Sequence, residues 1–176
     1  MDRLHEKRIQ VLAMIEEVAA SSGLAALRVG QVMTATPNCI SAQTTVLDLV
    51  RQLKNNGFRH LLVTDPQGKL LGVVSDRDVI RCFGPADYPD EKLLSSIHAD
   101  RIMSSELITV GTQTSLERAV KLMVEYGISC LPVLREEQLV GIITNTDLFV
   151  VLQMLLQRLD NSHASAHDDQ SIAAQA

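Results

Sequence analysis

Apolar residues recur along this chain in two alternating rhythms, and each rhythm occurs twice. Val46, Leu49, Val50 and Leu53 fall at three- and four-residue steps, as do Leu116, Ala119, Val120 and Met123, the spacing that turns one helical face toward a core. A hydroxyl pair precedes each set, Thr44-Thr45 and Thr114-Ser115, and Gly57 and Gly127 follow. Such hydroxyls cap the first turn of a helix, and a glycine ends it in the left-handed conformation. Two short apolar runs come next, His60–Thr64 and Leu70–Ser75, around the turn Asp65-Pro66-Gln67-Gly68. They predict a β-hairpin. Residues 130–134 and 139–144 predict a second hairpin around a charged turn, and a helix is expected after each.

These correspondences define an internal repeat. Val32-Met33 recurs as Ile102-Met103, seventy positions on, and Gln43-Thr44 recurs as Gln113-Thr114. After one deletion the offset becomes sixty-nine, aligning Gly72 with Gly141, Ser75 with Thr144 and Asp78 with Asp147. One such unit has too little core to stand alone, so two must pack. The expected fold is α/β (α+β): two tandem units, each with a small, mainly three-stranded sheet and two helices, around a pseudo-two-fold axis with crevices on it.

The units are placed at 29–83 and 99–155. Residues 1–28 hold an N-terminal helix and linker, with Leu4, Val11, Ile15 and Val18 on one face that docks on the pair. Residues 84–98 form a linker containing a short helix near 91–97. From 160 to 176 the composition turns to Ser, Ala, Asp, His and Gln, and a disordered tail is expected.

Composition narrows the function. Of 176 residues 46% are hydrophobic, and the net charge of −5 argues against a surface that neutralises many phosphates. Without Trp there is no stacking platform for single-stranded bases, so no nucleic-acid partner is expected. Cys39, Cys82 and Cys130 are odd in number and widely spaced, which predicts buried thiols in a reducing, cytoplasmic setting. The charged N-terminus is unlike a secretory signal, and the most apolar stretch, 148–156, is too short to span a membrane. His5, His60, His98, His163 and His167 lack ligand-type partners, so no metal is expected. No phosphate loop and no nucleophile with a base is evident, so no catalytic residues are assigned.

The candidate chemistry lies where each hairpin ends, at Gly72-Val73-Val74-Ser75-Asp76-Arg77-Asp78 and Gly141-Ile142-Ile143-Thr144-Asn145-Thr146-Asp147. Ser75 and Thr144 can cap the following helix, placing its positive end at a crevice. Asp78 and Asp147 then either reach back to the cap amide, as in a capping box, or accept two hydroxyls of a ribose.

The ordered set of Met33, Thr44, Gly57-Phe58-Arg59-His60-Leu61-Leu62-Val63, Gly72 and Ser75 to Asp78 recurs as Met103, Thr114, Gly127-Ile128-Ser129-Cys130-Leu131-Pro132-Val133, Gly141 and Thr144 to Asp147. It resembles the cystathionine beta-synthase (CBS) domain, here as a tandem pair or Bateman module over roughly 29–155. The resemblance implies a regulatory module that binds AMP, ADP, ATP or S-adenosylmethionine and catalyses nothing. It implies one site with Thr44, Phe58, Arg59, His60, Ser75, Arg77 and Asp78, and another with Thr114, Ile128, Ser129, Cys130, Thr144, Thr146 and Asp147. Phe58 and Ile128 are equally suited to core packing. In similar pairs the residues before the second strand's Leu reach the opposite cleft, so Arg59 and His60 would serve phosphates beside Asp147. The Asp78 cleft would receive neutral Ser129 and Cys130 and rely on Arg77. The resemblance further implies a homodimer through the helices, for which 148–156 is suited, and an unidentified regulated protein. The alternatives are an interaction or scaffold protein that binds no nucleotide, and a binder of S-adenosylmethionine or an NAD-type ligand.

Overall fold

A computed structural model describes residues 27–83 and 90–173, together with Ile9, Val11 and Ala13, with side chains as far as Asp160. The first copy contains α1 (Val29–Val32), β1 (Thr34–Ala35), β2 (Cys39–Ser41), α2 (Val46–Asn56), β3 (His60–Thr64), β4 (Leu70–Ser75) and α3 (Asp76–Arg81). The short helix α4 (Glu91–Ser96) precedes the second copy: β5 (Val110–Gly111), α5 (Leu116–Tyr126), β6 (Cys130–Arg135), β7 (Gln138–Thr144) and α6 (Asn145–Ala173).

The local signals act as their chemistry requires. Thr45, the second residue of its hydroxyl pair, caps α2 by accepting from Asp48 N at 3.2 Å, and Ser115 caps α5 by accepting from Arg118 N at 3.2 Å. Gly57 and Gly127 end these helices at φ 63° each. In the first hairpin Asp65 Oδ1 accepts from Gln67 N and Lys69 N, at 3.0 and 2.8 Å. The second hairpin turns on Glu136 and Glu137, whose φ values are 50° and 65°. Those are unfavourable angles for side chains with a Cβ.

Each copy builds the same sheet: β2 runs parallel to β3, which pairs antiparallel with β4, and β5, β6 and β7 repeat this. The second sheet has a fourth strand, because β1 leaves its own copy and pairs antiparallel with β7. The counterpart in the second copy is Ser104, which exchanges two hydrogen bonds with Val73 of β4, at 3.0 and 2.9 Å. Further hydrogen bonds repeat the exchange. Val29 N donates to Thr114 O and Ala99 N to Thr44 O, each at 2.9 Å; Leu116 N donates to Leu27 O at 3.0 Å and Val46 N to Ile97 O at 2.8 Å. The opening segment of each copy is therefore bound to the other copy, which is why one unit alone is incomplete.

Alternation along the strands divides the core. Leu61 and Val63 of β3 face one helical layer with Val46 and Leu49, while Leu131 and Val133 of β6 face the other with Ala119 and Met123. Leu62, Cys130 and Ile142 point the opposite way and form a third cluster, where the two sheets meet. β3 is consequently buried on both faces.

Some expectations change. Cys39 is exposed, because the outer strand β2 turns only Ile40 inward; Cys82 is half-buried and Cys130 buried. The backbone of α6 continues through Ala173, across the segment expected to be disordered. No Gly or Pro interrupts it after Gly141. Val150, Val151 and Met154 pack together with Val11 from the predicted N-terminal helix. Leu4, Ile15, Val18 and the linker residues 84–89 lie outside the described residues.

Candidate functional site

At the end of β4 the hydroxyl of Ser75 accepts from Asp78 N at 3.3 Å, while Asp78 Oδ2 accepts from Ser75 N at 2.9 Å and from its hydroxyl at 2.6 Å. At the end of β7, Asp147 Oδ2 accepts from Thr144 N at 2.7 Å and from Thr144 Oγ1 at 3.0 Å. The reach-back of a capping box is present, complete at Ser75. It also fixes a carboxylate at the margin of each of two clefts, and Asp147 is only 4% exposed.

The clefts are built from both copies. That of Asp147 has a volume of about 410 Å³ and gathers Thr144, Thr146 and Asp147 with Phe58, Arg59 and His60. That of Asp78 is smaller, about 220 Å³, and gathers Ser75, Arg77 and Asp78 with Ile128, Ser129 and Cys130. Phe58 and Arg59 thus line the cleft of Asp147, and Ile128 and Cys130 that of Asp78, each in the opposite copy. His60 and Ser129 line both. The cause is the packing of the two sheets around the axis, which sets the start of each central strand beside the other hairpin's end.

Thr44 and Thr114 line neither cleft. An eleven-residue helix is roughly 16 Å long, and the clefts form at its glycine end, away from its capped end. The two threonines instead hold the exchanged segments: their carbonyls accept from Ala99 N and Val29 N. Phe58 and Ile128 serve both expected purposes, since they also pack on the two helical cores.

Residues missed in the sequence come from the exchanged segments. Thr34, Pro37 and Asn38 enter the Asp147 cleft, and Ser104, Glu106, Leu107 and Ile108 enter the Asp78 cleft. Recurrence of Met33 as Met103 flagged these segments, but nothing local shows that they change copies.

The electrostatics of the clefts differ. Arg59 pairs with Asp76 at 3.2 Å yet remains more than half exposed, and among the described residues Asp147 is the one carboxylate that lines that cleft. In the smaller cleft Arg81 is bound to Asp78 Oδ1 at 3.1 Å, and Glu106 adds a negative charge. Burial lowers the pKa of His60, with Arg59 and Arg77 acting in the same direction and Asp76 and Asp78 opposing. Its imidazole is neutral at pH 7. Burial pushes the Cys130 thiol up to about 12, so it is no nucleophile. Among the described residues no group of three or more His, Cys, Asp or Glu is placed to hold a metal ion. No helix among them is long and apolar enough to cross a membrane.

Both copies match the model of the CBS domain family, over residues 29–84 and 99–153. The chain belongs to the CBS domain family. It is 29% identical over 122 residues to an uncharacterised protein of Methanopyrus kandleri, a match covering 68% of this chain and 60% of that protein. Among solved structures, a Vibrio cholerae protein assigned to acetoin utilization superposes with a TM-score of 0.65 at 29% identity, over 77% of this chain and 96% of that one. A CBS domain pair in complex with 5′-methylthioadenosine and S-adenosylmethionine gives 0.63 at 20% identity, over 73% and 97%. That second likeness shows the fold alone.

Proposed function

We propose that this CBS pair is a regulatory module that binds an adenine nucleotide of the AMP, ADP or ATP type, with the Asp147 cleft as the favoured site. The observation that carries the reading is the meeting of Arg59 and His60 from one copy with buried Asp147 from the other, in a cleft of about 410 Å³. A carboxylate held there suits ribose hydroxyls, and a guanidinium beside an imidazole suits a phosphate. The solved CBS pair with two adenosyl ligands supports that chemistry as one the fold accommodates. The Asp78 cleft, smaller and carrying Glu106, suits an adenosyl ligand with less negative charge, such as S-adenosylmethionine. The module acts by binding, as a cytoplasmic homodimer that transmits occupancy to a partner protein.

A nucleotide that binds only the folded state raises the melting temperature. In a thermal-shift series, AMP, ADP and ATP stabilise the intact chain, and Asp147→Ala loses most of that response while Asp78→Ala keeps most of it. Loss confined to Asp78→Ala would overturn the order of the sites. A flat response to these nucleotides, S-adenosylmethionine and NADH would favour the scaffold reading, which has an observation of its own. Phe149, Leu152, Leu156 and Leu159 form an exposed apolar stripe along α6, a surface suited to another protein.

A further inference from the structure

One side-chain contact borders both clefts. His60 Nε2 lies 2.9 Å from Ser129 Oγ, and both residues line both clefts. The repeat does not duplicate this contact. Cys130 stands where the first copy has His60, and Arg59 stands where the second has Ser129. Arg59 turns to Asp76, and the Cys130 thiol is buried. One imidazole, with no symmetry mate, therefore borders both crevices.

We propose that the two clefts compete for the His60 imidazole, so that a phosphorylated ligand in one weakens the binding of a second phosphorylated ligand in the other. This rests on the nucleotide-binding reading above. A neutral imidazole carries one N–H whichever tautomer it adopts. Phosphate oxygens accept hydrogen bonds, so two phosphates facing the ring from opposite sides cannot both receive its proton. The charged groups around His60, namely Arg59, Asp76, Arg77 and Asp78, leave the ring neutral at pH 7 because burial outweighs the two acids. With the proton on Nε2, where it donates to Ser129 Oγ, the first ligand must also draw His60 away from Ser129. Ser129 is then free to turn toward either cleft, but its hydroxyl replaces a lost imidazole donor only weakly.

The test is calorimetric titration of the full chain with AMP, beside the variants Asp78→Ala and Asp147→Ala, each of which leaves one cleft intact. Competition makes the product of the two stepwise affinities in the unmodified chain about tenfold lower than the product of the affinities the two variants retain, within the usual range for coupling between sites. With His60→Ala in all three backgrounds the discrepancy disappears. Ser129→Ala offers a second route that keeps the imidazole: the first AMP binds about fivefold more tightly, because one ordinary hydrogen bond no longer has to be broken. Equal products in the unmodified chain, or a discrepancy that survives His60→Ala, would overturn the competition and leave nucleotide binding standing. An unchanged first affinity in Ser129→Ala would do the same. No AMP binding by the unmodified chain would overturn both.

Discussion

Met103 lies across Gly72 so closely that a Cβ on the glycine would stand 2.5 Å from the methionine sulfur, and Met33 meets Gly141 at the same 2.5 Å. Each methionine opens one copy and each glycine lies in the other copy's second hairpin strand. The two contacts pin the exchanged segments in place. They are unequal beneath the thioether, since a Cβ on Gly141 would also come within 3.0 Å of the Thr34 carbonyl, whereas Gly72 meets only the Met103 side chain. A flexible side chain can yield, but a paired strand cannot. Gly141→Ala is therefore expected to cost about 1–3 kcal/mol, in the range of overpacked cores, and Gly72→Ala clearly less. Urea denaturation of the two variants checks the order, and Met103→Ala in the Gly72→Ala background recovers part of the smaller loss.

His60 gives stability a defined dependence on pH. Its pKa is lowered in the folded chain from the ordinary 6.5, so near and below 6.5 the unfolded chain binds more protons than the folded one. Stability contributed by this group is complete above the unfolded value and is lost as pH falls through the folded one. Denaturation midpoints measured downward from neutrality should decline, and His60→Gln should decline less. An identical slope in the variant would show that other groups control the acid limb.

Glu136 and Glu137 occupy a two-residue hairpin turn flanked by the Arg135–Gln138 pair, both at positive φ. Turns of this hand favour Asn followed by Gly. Replacing Glu136→Asn and Glu137→Gly together is expected to add about 1 kcal/mol, hence roughly 2–4 °C in melting temperature. Calorimetry reads this directly, and the turn lies outside both cleft linings, so the AMP response should not change.

The exposed stripe on α6 carries the expectation of a homodimer. Phe149 is 65% exposed and Leu152 50%. Leu152→Glu with Phe149→Glu should convert a dimer to a monomer in sedimentation or light-scattering measurements. Retention of the dimer would place the interface elsewhere, and a monomer before mutation would remove the expectation altogether.

What the sequence disclosed is what short-range chemistry controls. Val46, Leu49 and Leu53 repeat at helical spacing because they face one core, and Gly57 stands where only a left-handed residue closes the helix. Asp78 and Asp147 were visible because each lies three residues from its hydroxyl, whichever purpose it serves. The composition of the clefts was not visible in the same way. Phe58 follows Gly57 in its own copy yet lines the Asp147 cleft, a placement decided by sheet packing around an axis that no window of sequence contains. Thr44 and Thr114 entered as ligand contacts through the family resemblance alone, and no pattern in the sequence shows that their carbonyls hold the other copy's entering chain. Cys39 shows the limit of composition: a cysteine on an outer strand need not be buried.

The exchange of opening segments makes each half of this chain the missing component of the other. A polypeptide cut between Phe83 and Asp90 would keep β1 on β7 and Ser104 on β4, now as contacts between two separate molecules. Neither fragment would own a complete cleft, and both clefts would return together when the fragments met.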